Sequence, residues 1–167
     1  MATSKTYVLE ETAHTWSDAV TGGDDTLDLG GLATLGVRQG DQWDRGASAV
    51  PFWYEWRLVI DGFDTAPVVG ERVNAYLGFS DGTNHDGDLG TADAAATTVA
   101  LPNLLYIGTA TVQTVTAANE LIVSGDVLII ARYVTPVIEN KTVDSFLSTS
   151  DAHKFILTPH SPQGQAT

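Results

Sequence analysis

From Phe52 to Ile60 the side chains alternate. Phe52, Tyr54, Trp56, Leu58 and Ile60 make one wholly apolar face, and Trp53, Glu55, Arg57 and Val59 make the other. Period two with one apolar face predicts a half-buried β-strand, and Asp61 with Gly62 predicts the turn that ends it. After Pro67 the alternation resumes. Val73, Ala75, Leu77 and Phe79 are predicted to point inward and Arg72, Asn74 and Tyr76 outward, with a turn at Ser80–Gly82. A third strand is predicted from Leu104 to Val115, with Tyr106, Gly108, Ala110 and Val112 on one face and Thr and Gln on the other. Leu121–Val123 and Val127–Val134 flank a turn at Ser124–Asp126. Apolar residues fill both faces of Val127–Val134, the pattern of a central strand covered on both sides. A last strand is predicted over His153–Thr158, stopped by Pro159. The N-terminal third carries weaker signals, with strands predicted at Thr6–Leu9 and Thr26–Leu29. Ala92–Ala100 is predicted as a short helix, although Thr97, Thr98 and Val99 suit one poorly.

These segments predict one all-β domain over residues 1–160, followed by a flexible polar tail at 161–167. About eight strands separated by turn signals suit an antiparallel β-sandwich, above all a jelly roll, with a closed barrel as the competing architecture. Composition agrees. Thr, Val and Ile make up about a quarter of the 167 residues, and β-branched side chains favour the pleated surface.

Charge narrows the function. The chain holds 8 Lys and Arg against 21 Asp and Glu, a net charge of −13. Nucleic acid and anionic membranes would repel such a surface, so neither is expected as a partner. With no cysteine, disulfides and thiol chemistry are excluded. No apolar run approaches the roughly 18 residues that span a bilayer. The start, Met1 to Lys5, lacks the apolar centre of a signal peptide, so a chain made and kept in a cytoplasm is expected.

Candidate chemistry is sparse. Within Asp81–Asp88, Asn84, Asp86 and Asp88 alternate like the opening ligands of a calcium loop. Leu89 and Ala95 stand where such a loop needs its Gly and its Glu, so turn formation is the better explanation. Gly22, Gly23, Asp24 and Asp25 form a second acidic loop of the same kind. His14, His85, His153 and His160 are scattered, and only His153 falls in a predicted strand. Glu10 and Glu11 are adjacent and would face opposite ways. No nucleophile elbow, metalloprotease helix motif or phosphate-binding glycine loop is present. Asn140–Thr142 fits a glycosylation sequon, which has no meaning in a chain that is not exported. No catalytic residue, metal ligand or cofactor is assigned, and no enzyme activity is expected.

Adhesion is better represented. Of Trp16, Trp43, Trp53 and Trp56, Trp56 belongs to the apolar face and is expected in the core. Trp53 stands on the opposite face and is expected at an interface or as a platform for a sugar ring. Residues 73–131 contain no Lys or Arg and only six acidic residues. This mild surface suits contact with a complementary partner or with copies of itself. The few arginines (Arg38, Arg45, Arg57, Arg72 and Arg132) become candidate anchors, since guanidinium forms bidentate pairs with carboxylates. Trp53, Arg57, Arg72, Arg132 and Trp43 are the candidate interface set.

Three segments carry a family resemblance. The run Arg72–Thr83 (RVNAYLGFSDGT), the run Ala131–Ile138 (ARYVTPVI) and the run Ser150–Pro159 (SDAHKFILTP) resemble the strands and turns of small virion proteins of tailed bacteriophages. The likeness spans residues 50–159. It implies a compact β-sandwich or jelly roll without catalysis or cofactor. It implies a decoration, or cement, protein on the outside of an icosahedral head, assembled in the host cytoplasm. The partner would be the major capsid protein, and the chain a homo-oligomer, most of all a trimer. A carbohydrate- or receptor-binding module of a tail fibre is the alternative, resting on Trp53, Trp43 and the Asp-rich loops. A small jelly-roll isomerase would need clustered histidines, which the spacing does not supply.

Overall fold

A computed structural model describes residues 12–18, 23–46, 51–118, 120–149 and 152–160. The strand predicted at Thr6–Leu9, the pair Glu10 and Glu11, and the tail 161–167 lie outside the described residues. Eleven strands occur among those described. They are β1 (His14–Ser17), β2 (Asp25–Thr26), β3 (Val37–Gln39), β4 (Trp43–Asp44), β5 (Trp53–Ile60), β6 (Arg72–Ser80), β7 (Ala94–Ala96), β8 (Leu105–Thr111), β9 (Leu121–Leu128), β10 (Tyr133–Lys141) and β11 (Lys154–Pro159).

The strands form two sheets, in the orders β2-β1-β11-β5-β9 and β7-β3-β10-β6-β8, with β4 joining β10 beyond β3. All pairings are antiparallel except β1 with β2. The chain is an all-β sandwich. The first sheet contributes Trp16, Tyr54, Trp56, Leu58, Phe155 and Leu157 to the core, and the second contributes Val73, Ala75, Leu77, Val134 and Ile138. Alternation in β5 and β6 therefore builds the two facing walls.

Several expectations need correction. Tyr106 does not share the face of Gly108, Ala110 and Val112: β8 bulges at Ile107, which sets Tyr106 exposed beside Tyr76. Ala92–Ala100 is not a helix: Ala94, Ala95 and Ala96 pair with Gln39, Arg38 and Val37. Arg38 holds the preceding Asp93 in a two-point salt bridge, so tertiary pairing overrides alanine's helix preference. Ser124–Asp126 is not a turn but the middle of β9, paired residue for residue with Arg57, Trp56 and Glu55. The break comes later, at 129–132. The strand covered on both sides is consequently β10, whose residues 134–140 are all buried. Pro136 survives there because its carbonyl receives the Gly40 N–H at 2.9 Å. That edge faces the interruption between β3 and β4, where a missing N–H breaks no ladder. Finally, Phe52 precedes β5 and is 58% exposed, whereas Val59 on the supposedly solvated face is buried.

The two outer faces differ. The stretches on either side of β7 fold over the second sheet, so Leu89, Ala100 and Leu104 cover Val37 and Val137. Beneath this region Glu139 is buried and accepts hydrogen bonds from Asn74 and Tyr76. Burial, then the Glu139 charge, pushes the Tyr76 hydroxyl up to about 12. The first sheet's outer face stays largely open: Trp53, Arg57, Ile122, Ser124, Asp126, Leu128 and Thr158 are exposed.

Candidate functional site

Trp53 opens β5 on that bare face and is 54% exposed. Its strand partner is Leu128, which shares its face because paired residues project to the same side. One step further along, the Ile129 N–H donates to the Phe52 carbonyl at 2.7 Å, so Phe52 and Ile130 lie beside the same edge. Phe52, Trp53, Leu128 and Ile130 are all about half exposed or more, Ile130 at 81%. They form an apolar rim at one end of the sandwich.

Arg45 fixes this rim from beneath. It is only 6% exposed. Its guanidinium donates to the carbonyls of Ile129, Ala131 and Pro51 and to the Tyr54 hydroxyl. Its carbon Cζ sits 5.0 Å above the Tyr54 ring, and its own N–H donates to the Arg132 carbonyl. One planar fork thus ties 51–54 to 129–132. As a candidate surface anchor Arg45 is corrected: it is a buried strut.

The other candidates separate. Arg132 lies at the rim, but its Nε and Nη2 already hold both Asp44 oxygens at 2.7 and 2.6 Å. That fork raises the guanidinium and lowers the Asp44 carboxyl from their ordinary values. Arg57 stands mid-strand on the same open face as Trp53, 3.4 Å from Glu55. Arg72 is exposed at the opposite end, where β6 begins beside Lys141. Trp43 is half-buried and turned inward, stacked on the His14 ring at 4.1 Å and edge-on to Trp16 and Tyr54. Trp53 and Arg57 thus share the open face of β5 and Arg132 lies on the 129–132 connection that Arg45 ties to the start of that strand, whereas Trp43 and Arg72 lie apart. Phe52, Leu128 and Ile130 were missed. The signal was the unbroken run Val127–Ile130, longer than its pairing strand can cover.

The acidic loops are occupied with folding. The Asp81 carboxylate accepts the N–H groups of Thr83 and Asn84 and the Asn84 side chain. These bonds, that from the Asn84 backbone above all, hold its carboxyl down at about 2. Asp86 accepts the Phe79 N–H. Asp24 accepts the Thr15 N–H, and Asp25 lies 2.8 Å from His14 Nε2, its carboxyl raised chiefly by burial. His85 meets Gln42, His160 meets Asp126, and His153 is buried between two backbone groups. Among the described residues no three His, Asp or Glu side chains are grouped to hold a metal ion.

A shallow groove of roughly 550 Å³ runs between the edges of β8 and β9, lined by Thr109, Thr111, Gln113, Glu120 and Ile122. It contains one carboxylate and no nucleophile–base pair. Compared with known proteins, the chain matches no family model, no curated protein and no solved structure.

Proposed function

We propose that this chain is a non-enzymatic virion protein that adheres to the outer surface of a phage capsid as a decoration protein, docking through its Trp53 rim. The observation that carries this is an exposed aromatic and aliphatic cluster locked by a buried arginine. Large apolar side chains held rigid by their surroundings are the anchors of protein interfaces, because little rotamer freedom is lost on docking. The strand order supports a jelly-roll reading. With β2, β4 and β7 set aside, the remaining strands run first, eighth, third, sixth in one sheet and second, seventh, fourth, fifth in the other. That is the connectivity of two joined Greek keys, used by viral capsid and lectin domains alike. The fold-level link is an analogy; the rim is the argument.

The test mixes the chain with phage heads stripped of it and measures co-sedimentation and heat survival. Binding in hundreds of copies per head, weakened roughly thirtyfold or more by Trp53→Ala, is expected. Absence of binding, or equal survival of bare and coated heads, overturns the proposal. One observation favours a second reading, a sugar- or receptor-binding module. Beside the Trp53 indole, Glu55 and Asp126 face outward as a cross-strand pair, and such polar neighbours could bind ring hydroxyls. Quenching or shift of Trp53 fluorescence by glycans would favour it.

A further inference from the structure

Among the described residues four strands end the two sheets, and three are blunted. β2 has two residues and β7 has three. β8 carries a bulge at Ile107, where the register with β6 slips between Ala75 and Tyr76. Short edges and bulges are how proteins prevent sheets from joining. β9 has neither defence. It is eight residues long and paired without a slip along β5; it has no Pro, Lys or Arg, its one charged residue is Asp126, and β8 borders it across the groove only at its 120–123 end.

The orientation of its free groups follows from two bonds. The Ile129 N–H reaches Phe52, while the Trp53 carbonyl receives the His160 N–H from the β11 side. Odd residues of β9 therefore bond β5, and Ile122, Ser124, Asp126 and Leu128 turn their N–H and C=O outward. Among the described residues these four backbone N–H groups have no backbone partner.

The sequence of this edge reads almost the same both ways about Gly125: LIVSGDVLI over Leu121–Ile129. We propose that β9 pairs antiparallel with β9 of a second copy about a twofold axis at Gly125, joining the two sheets into one. In that register Ile122 faces Leu128, Val123 faces Val127 and Ser124 faces Asp126, each twice by symmetry. Outward-turned residues meet outward-turned residues, as an antiparallel ladder demands. The neighbouring registers of the same parity fail. Centring on Asp126 sets two carboxylates opposite each other, and centring on Ser124 sets Ile122 against Asp126 and Leu128 against Glu120. Like charges and mismatched pairs across strands destabilise, so register is strongly specified. The inference is independent of capsid docking, and it replaces the trimer implied by the resemblance with a twofold pair.

Sedimentation equilibrium of the full chain tests it. A mass of twice 17.7 kDa is expected; a monomer or a trimer overturns the proposal. Ser124→Asp tests the register. In the single chain the new carboxylate lies beside Arg57, so folding is retained. In the pair it faces Asp126 twice, and dissociation should become roughly tenfold easier. Ser124→Lys should hold the pair at least as tightly. Equal affinities for the two variants overturn the register even if a dimer forms.

Discussion

Single side chains decide how this protein responds to acid. His153 Nδ1 accepts the Asp61 N–H and Nε2 meets the Leu147 carbonyl, both at 3.0 Å. The first contact leaves the proton on Nε2, and burial lowers the imidazole below its ordinary 6.5. The folded chain thus refuses a proton that the unfolded chain takes up below that value. The contribution of His153 to stability is therefore fully present above about pH 6.5 and is lost as pH drops beneath it. Urea midpoints at about pH 7.5 and 5.5 should differ more for the native chain than for His153→Gln; equal responses would refute this role. Trp53 and Trp56 were legible from parity alone, since neighbouring strand positions face opposite ways. Arg45 was not. Its partners lie at Pro51, Tyr54, Ile129 and Ala131, and nothing local distinguishes an arginine destined for such a cradle from one facing water.

At the scale of elements, two glycines govern the seam between the sheets. Gly125 on β9 and Gly108 on β8 both lie against the Trp56 indole. A Cβ at Gly108 would sit 2.6 and 2.8 Å from its ring carbons, and one at Gly125 would sit 2.9 Å from its nitrogen. That nitrogen is buried without a hydrogen-bond partner, the signature of a ring chosen for shape rather than polarity. Gly108→Ala should lower stability by about 1–3 kcal/mol, because an overfilled core must shift one sheet. An unchanged urea midpoint would contradict it. The same contact explains a misread element. Ser124-Gly125-Asp126 has the composition of a turn, yet Gly125 serves close approach inside a strand. Likewise, Ala94–Ala96 has helical composition and strand pairing. Both errors arise where tertiary neighbours outweigh local preference.

For the whole molecule, alternation in β5, β6 and β11 was enough to recognise an all-β sandwich. The order of strands was beyond it, because edge and centre are set by pairing across the chain. Net charge also acts at this scale. Two copies at −13 each repel, while the β9 seam offers backbone bonds and apolar pairs that salt does not weaken. Raising salt from about 0.02 to 0.15 M should therefore tighten the pair. A seam built on opposite charges would loosen, and sedimentation at both salts separates the two.

The tryptophans are distributed unevenly between water and interior. Trp16 and Trp56 are enclosed at 0% and 2% exposure, Trp43 is shielded by stacking, and Trp53 alone stands more than half in solvent. Water relaxing around an excited indole shifts its emission to the red, and small quenchers reach only rings they can touch. The chain thus contains its own optical probe. Light quenched readily by acrylamide should come chiefly from Trp53, and covering that end should turn it blue and protect it, so occupancy can be followed without a label.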